Sequence, residues 1–273
     1  MNYAILYSKK DEAGMNIAEQ LKKFFMPQVP ILEMKKDSIH EENIDEKEEY
    51  KEQLKNADLI IFATKHQSKE NRNTLSLHAP GNWRNADYGG KPGKICKTSA
   101  LALKFLAQKM QENIQKENLN YELTLECTHH GPLINKPCLF IEIGTTIEQW
   151  QNKKAASVIA KTLSDFQEFD KWKSEYKSKL KVAVCVGSPH YSPNFTKIQL
   201  SQESNIAISH IIPEYQLPLT ESMLKEAIEK TQENVDLILM DWKGCGNSAS
   251  RLQIIQIIEK LGMPHERTER INK

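Results

Sequence analysis

The chain has 273 residues, 37 Lys+Arg against 36 Asp+Glu for a net charge of +1, and 39% hydrophobic residues. These proportions exclude a disordered chain, a membrane-spanning one and the strongly basic surface of a protein that coats nucleic acid, while leaving room for an enzyme with a local basic patch. Five cysteines, odd in number, widely spaced and never C-x-x-C, predict a reduced, cytoplasmic protein without a four-cysteine zinc module. The apolar stretch within the first ten residues is too short for a signal peptide or a span, so no membrane association is expected.

Short runs rich in Ile, Val, Leu and aromatics alternate with longer amphipathic stretches, the pattern of an α/β sheet. The runs that predict strands are Tyr3 to Tyr7, Leu59 to Thr64, Tyr121 to Thr128, Cys138 to Ile143, Val182 to Val186, Ala207 to Ile212 and Val235 to Asp241. A helix between the first two places Ile17, Leu21, Phe24 and Phe25 on one face and ends by Pro27. Residues 35 to 56, mostly charged, read as a solvated helix or loop. A helix from about Ser99 to Ile114 buries Leu101, Phe105, Leu106 and Met110. Thr145 and Glu148 predict a capping box that opens a helix carrying Ala155, Ile159 and Leu163. Residues 165 to 181, charged and without Gly or Pro, are expected to extend that helix outward and are the best candidate division. With no convincing repeat, a single α/β domain over 1–273 is preferred. The last helix begins near Ser248 and presents Ile254, Ile255, Ile258 and Leu261.

In open α/β sheets ligands bind at the carboxyl ends of strands, so polar residues there carry weight. Of eight histidines, His66, His129, His130 and His190 follow predicted strands, and His78 precedes the Pro80-Gly81 turn. His210, inside a strand, reads as structural. If the strand continues through His129 and His130, their side chains point to opposite faces, so one would ligate or catalyse while the other supports. Glu126 then shares a face with His130, where a carboxylate can orient the imidazole or act as a general base.

Neutral imidazoles with carboxylates suit zinc, although no His-Glu-x-x-His spacing is present. Gly-x-Ser-x-Gly is absent, and Gly244-Cys245-Gly246-Asn247-Ser248 matches neither a dinucleotide fingerprint nor a triphosphate loop. That turn precedes a helix N-terminus and, with Lys243, offers an anion site; a plain connection is its simpler reading. Cys245 has no partner in the sequence that would make it a nucleophile.

Seven stretches, in order, resemble the archaeal and plant type of D-aminoacyl-tRNA deacylase: Thr64-Lys65-His66-Gln67-Ser68, His78-Ala79-Pro80-Gly81-Asn82-Trp83, Gly89-Gly90, Thr128-His129-His130-Gly131-Pro132, Glu142-Ile143-Gly144-Thr145 with Trp150, Gly187-x-x-His190-Tyr191, and Asp241-Trp242-Lys243-Gly244. They span most of the chain. Gly187-Ser188-Pro189-His190 departs mildly, because the family usually carries a second glycine there. The resemblance implies a three-layer α/β/α sandwich with a mixed, mostly parallel sheet, similar to nucleoside phosphorylases and peptidyl-tRNA hydrolases. It also implies zinc-dependent hydrolysis of the ester joining a D-amino acid to the 3′ end of tRNA.

On that reading His130, Glu126 and His78 are candidate catalytic residues, and His66, His129 and His190 candidate metal ligands, with the division between the two roles left open. The acceptor-end phosphates need a local patch, which Arg84, Lys91, Lys94, Lys97 and Lys104 supply around a Gly/Pro-rich loop; the stretch Lys171 to Lys181 and Lys243 come next. No obligate protein partner is evident. The rival readings are a phosphorylase-like or metallopeptidase-like small-molecule enzyme and a non-catalytic RNA-binding module whose histidines stack on bases.

Overall fold

The computed structural model describes residues 1–271. The first part of the chain runs β1 (Tyr3–Ser8), α1 (Glu12–Leu21), β2 (Ile31–Met34), α2 (Glu48–Leu54), β3 (Leu59–Gln67), β4 (Thr74–His78), α3 (Ala100–Lys116), β5 (Glu122–Leu125) and β6 (Cys138–Thr145). Helices α4 (Ile147–Trp150), α5 (Lys153–Asp165) and α6 (Phe169–Tyr176) lead to β7 (Lys181–Ser188), α7 (Pro193–Leu200) and β8 (Ile206–Pro213). The chain continues through α8 (Glu221–Glu229), β9 (Leu237–Met240), α9 (Ser248–Lys260), β10 (His265–Arg267) and α10 (Thr268–Ile271).

The strands form a six-stranded sheet, β2-β1-β3-β6-β4-β5, and a four-stranded sheet, β10-β9-β7-β8. Every named pairing is parallel except β4 with β6, which gives the expected mixed, mostly parallel α/β architecture. The strands of the six-stranded sheet all lie before residue 146 and those of the four-stranded sheet all after residue 180.

Strand β3 shows how sequence positions the site. Leu59, Ile61 and Ala63 enter the cluster under α1, α3 and α5, whereas Ile60 and Phe62 enter the opposite cluster with Cys138 and Phe140 of β6. Both faces are covered, as a central parallel strand requires. Continuing the same alternation by two places Thr64 and His66 on the second face beside Glu142, so an apolar face becomes polar at its end.

Several expectations are corrected. The strand meant to end at Thr64 runs on to Gln67, so His66 lies within it. Helix α1 stops at Leu21, so Phe25 is 86% exposed and only Phe24 packs on the core. The 35–56 run is not simply solvated: Ile44, Tyr50 and Leu54 are buried, and Glu42 accepts from Gly90 N at 2.6 Å and Leu133 N at 2.7 Å. The capping box falls one residue late, on Thr146 and Gln149, because β6 continues through Thr145. It opens only the short α4, and Asn152 then caps α5. Residues 166–176 do not project outward, because Phe166, Phe169 and Trp172 fold them onto Phe105 of α3. Asn247, one residue before Ser248, caps α9.

Strands β2, β4 and β10 were not anticipated. β4, Thr-Leu-Ser-Leu-His, alternates apolar residues with small polar ones over five positions only, too brief to stand out from a loop.

Candidate active site

The five strand-associated histidines converge, and they do so from both sheets. His66 comes from the end of β3 and His78 from the end of β4, while His129 and His130 follow the extension of β5. His190 follows β7 of the small sheet, and its carbonyl accepts from Cys127 N at 3.0 Å. Ring centroids of His78 and His129 lie 4.3 Å apart, His129 and His130 4.3 Å, and His129 and His190 4.6 Å.

His129 and His130 therefore do not point to opposite faces. His130 takes φ 44, a left-handed conformation that ends the extended run, and its ring swings back beside that of its neighbour. Glu126 consequently faces His66 at 3.2 Å, His190 at 3.2 Å and His129 at 3.6 Å, and is not paired with His130.

Glu142 heads one of the stretches that carry the family resemblance, but sequence reasoning gave it no role in the site. It lies mid-strand in β6, accepts from Thr64 Oγ1 at 2.8 Å, and approaches His66 at 3.4 Å and His78 at 3.7 Å. A carboxylate inside the otherwise apolar run Cys-Leu-Phe-Ile-Glu-Ile was the available signal, since a buried glutamate requires partners. Tyr191, whose hydroxyl lies 2.8 Å from His66 Nε2, and Tyr215, 3.4 Å from His190 Nδ1, were missed as well.

The charges follow from burial. Glu126 and Glu142 are 1% and 2% exposed. Burial disfavours both carboxylates, but His190 and His66 beside Glu126, and His66 and His78 beside Glu142, outweigh it and hold both below the usual range. Burial likewise opposes the charged form of His66, yet its two glutamates raise it to about 11. His130, desolvated and close to His78, drops to about 4, and His129 also falls for the same reasons.

His78, His129 and His130 each turn Nδ1 to a backbone carbonyl, of Ala79 (3.2 Å), Cys127 (2.8 Å) and Gly131 (2.6 Å) respectively. That contact makes Nδ1 the donor and leaves Nε2 with a free lone pair, as in histidines that bind metals. Donor atoms of these three lie within 4.8 Å of one another, as do those of His66, Glu126 and His190, and those of His78, Glu126 and Glu142. His78 Nε2, Glu126 Oε1 and Glu142 Oε2 are buried without any hydrogen-bond partner. Three unsatisfied polar atoms in one donor cluster are costly unless a cation or a bound polar group satisfies them, so the residues fit a metal ion.

A cavity of about 940 Å³ opens over His66, His129, His130, Glu142 and His190. Of the expected phosphate contacts, Arg84 is exposed but donates to the carbonyls of Gln216 (3.2 Å) and Pro218 (2.8 Å), and Lys94 pairs with Glu226 at 3.4 Å. Lys91 and Lys243 are exposed and Lys97 half-buried, and none of the three makes an ion pair among the described residues. Lys104 is a correction: it is buried inside α3, where it donates to the carbonyls of Gln199 and Ser201 at the end of α7. His210 is structural as expected, held by Thr128 Oγ1 and the Lys230 carbonyl. The Gly244 turn is a packing device, because a Cβ there would lie 1.7 Å from the Gly187 carbonyl oxygen; burial pushes the Cys245 thiol up to about 12, which removes it as a nucleophile.

An α/β fold with buried imidazoles and carboxylates clustered beneath an open cavity is the arrangement of an enzyme site. The chain belongs to the D-aminoacyl-tRNA deacylase family, whose model matches residues 53–266. It is similar to the D-aminoacyl-tRNA deacylase of Thermococcus onnurineus, at 36% identity over 95% of this chain and 97% of that protein. The corresponding protein of Thermococcus kodakarensis is 34% identical over the same shares. A crystal structure of a conserved protein of unknown function superposes with a TM-score of 0.86 at 29% identity, covering 99% of this chain and 96% of the other.

Proposed function

We propose that this pocket hydrolyses the ester joining a D-amino acid to the 3′ end of tRNA, releasing both. Family membership supplies the reaction. The observation that ties it to this pocket is the coincidence of three unsatisfied buried atoms, on His78, Glu126 and Glu142, with the donor cluster under the cavity.

Zinc is the ion that this mixture of imidazole and carboxylate donors suits, with His78, His129 and His130, or His66, Glu126 and His190, as the residues that would hold it. A bound zinc lowers the pKa of its water to about 7 and polarises an ester carbonyl. The protein's own groups do the rest. Where His78, His129 and His130 hold the ion, Glu126, kept ionised by His190 and His66, accepts the proton from the attacking water. His190, whose side chain is 33% exposed and touches Glu126, returns it to the leaving ribose oxygen. Tyr191 and the backbone carbonyls fix the rings so that little reorganisation accompanies the reaction.

The phosphates of the acceptor end meet Lys91, Lys97 and Lys243, which leaves Arg84 and Lys94 mainly structural. No helix among the described residues is long and apolar enough to cross a membrane; a tRNA substrate favours the cytoplasm as its place of work. The deciding experiment is multiple turnover of matched D- and L-tyrosyl-tRNA with and without a chelator. Selective release from the D-form, abolished by the chelator, supports the reading. Equal rates on both forms would leave a general esterase, and cleavage of nucleosides or peptides instead would favour a small-molecule enzyme.

A further inference from the structure

Among the aromatic rings that line the cavity, Tyr88 stands apart. It is 69% exposed, its hydroxyl has no hydrogen bond, and no other aromatic ring packs on it among the described residues. Trp83, by contrast, is buried and donates to the Thr128 carbonyl, and Tyr215 touches His190.

The backbone under this bare ring is fixed. Gly131 N donates to the Tyr88 carbonyl at 2.8 Å, Asn82 Nδ2 to the Gly89 carbonyl at 2.8 Å, and Gly90 N to Glu42. Gly89 and Gly90 adopt φ 74 and 80, a Cβ on Gly89 would lie 1.8 Å from the Ile39 carbonyl oxygen and one on Gly131 2.4 Å from Gly90 N, so the loop packs on Ile39 and Gly131 because these glycines have no side chains. An exposed aromatic ring on a rigid, locally anchored loop loses little entropy when a planar ligand covers it.

Its position selects the ligand. Gly131 directly follows His130, so Tyr88 stands at the cavity rim one hydrogen bond from the chain segment that carries two of the clustered histidines. In the substrate of the proposed reaction, only a ribose separates the ester from the unpaired terminal adenine. Unpaired bases are characteristically held by stacking on aromatic side chains. We infer that Tyr88 is the stacking platform for the 3′-terminal base of the aminoacyl-tRNA and thereby sets the ester over the histidines. This inference rests on the proposed reaction for its ligand, but its test does not need turnover.

In the first arm, uncharged tRNA carrying 2-aminopurine in place of its terminal adenine is titrated with wild-type protein, Tyr88→Trp and Tyr88→Ala. Quenching by the first two and none by the third is expected. In the second arm, Tyr88→Ala raises KM for D-tyrosyl-tRNA about 5- to 150-fold, the usual worth of one base–aromatic stack, with kcat within about threefold and with Tyr88→Trp restoring KM. Equal quenching by wild type and Tyr88→Ala would overturn the inference, as would an unchanged KM or a fall in kcat that Tyr88→Trp does not rescue. A wild type that quenches but fails to turn over D-tyrosyl-tRNA would overturn the reaction and leave the stacking site standing.

Discussion

Glu126 and His190 meet at 3.2 Å, and they come from different sheets. Glu126 extends β5 of the six-stranded sheet and bridges to Tyr191, whereas His190 follows β7 of the four-stranded one. The site is thus completed only where the two sheets meet, and the carboxylate joins three histidines through one oxygen, Oε2.

Glu126→Gln keeps the shape of that contact and removes its charge. The variant should lose about a hundredfold or more in kcat, in the range typical of acid–base and metal-supporting groups, with a thermal midpoint close to wild type. Single-turnover rates beside thermal denaturation check this. A rate within threefold of wild type would remove Glu126 from the chemistry.

Metal content gives the second prediction. Pure active protein should contain at least about one equivalent of zinc, because a catalytic site needs one ion. Chelation should abolish activity and lower the melting temperature, since an ion that binds only the folded state stabilises it by mass action. His78→Ala and His130→Ala should each reduce the rate about a hundredfold and weaken zinc retention. Elemental analysis below about a tenth of an equivalent in active protein would leave histidine and glutamate to act without a metal.

How much of this was legible in the sequence depended on the period of each element. The long parallel strands and the α3 and α9 stripes stood out because continuous apolar runs and 3.6-residue periodicity persist over many residues. The candidacy of His66, His129, His130 and His190 was legible from their place after strand-like runs, but their meeting with His78 was not, because β4 runs antiparallel to β6 and His190 follows a strand of the other sheet. The relation of His129 to His130 was not, since a single left-handed residue reverses the side-chain alternation and leaves no mark in the sequence. Glu142 was marked in the sequence only as a carboxylate in an apolar run; its role comes from register, opposite Thr64 of β3 and Ser76 of β4, and register is a tertiary property. Lys104 looked like a surface cation from its neighbours in sequence, although helix α3 turns it inward.

Lys104 leads to a prediction about pH and stability. Burial without a carboxylate lowers its pKa to about 8, whereas an unfolded lysine titrates near 10.4. Between those values the unfolded chain binds the extra proton, so stability rises with pH across roughly 8 to 10.4. Below about 8 both states are protonated and the buried charge costs up to ~3 kcal/mol, offset in part by its bonds to the end of α7. Urea denaturation at pH 7.5, 9 and 10 should show wild type gaining on Lys104→Met by about 2 kcal/mol. Parallel pH curves would mean that the amine stays charged throughout.

The basic residues give the last prediction, in which position decides between two roles. Lys91 and Lys243 are exposed and form no ion pair among the described residues, whereas the guanidinium of Arg84 is committed to the carbonyls of Gln216 and Pro218 on the loop that carries Tyr215. A lysine that neutralises a phosphate releases counterions, so its removal should weaken tRNA binding in every sequence context and reduce the logarithmic salt slope by ~0.7 to 0.9. Lys91→Ala and Lys243→Ala should behave in that way, with kcat little changed. Arg84→Ala should leave the slope alone, lower stability by about 1 kcal/mol through its lost hydrogen bonds, and disturb kcat through the displaced loop. KM for D-aminoacyl-tRNA measured across a salt series, beside denaturation curves, separates the two patterns. An unchanged slope in both lysine variants would move the phosphate path to other cations, with the lysines between Lys171 and Lys181 next.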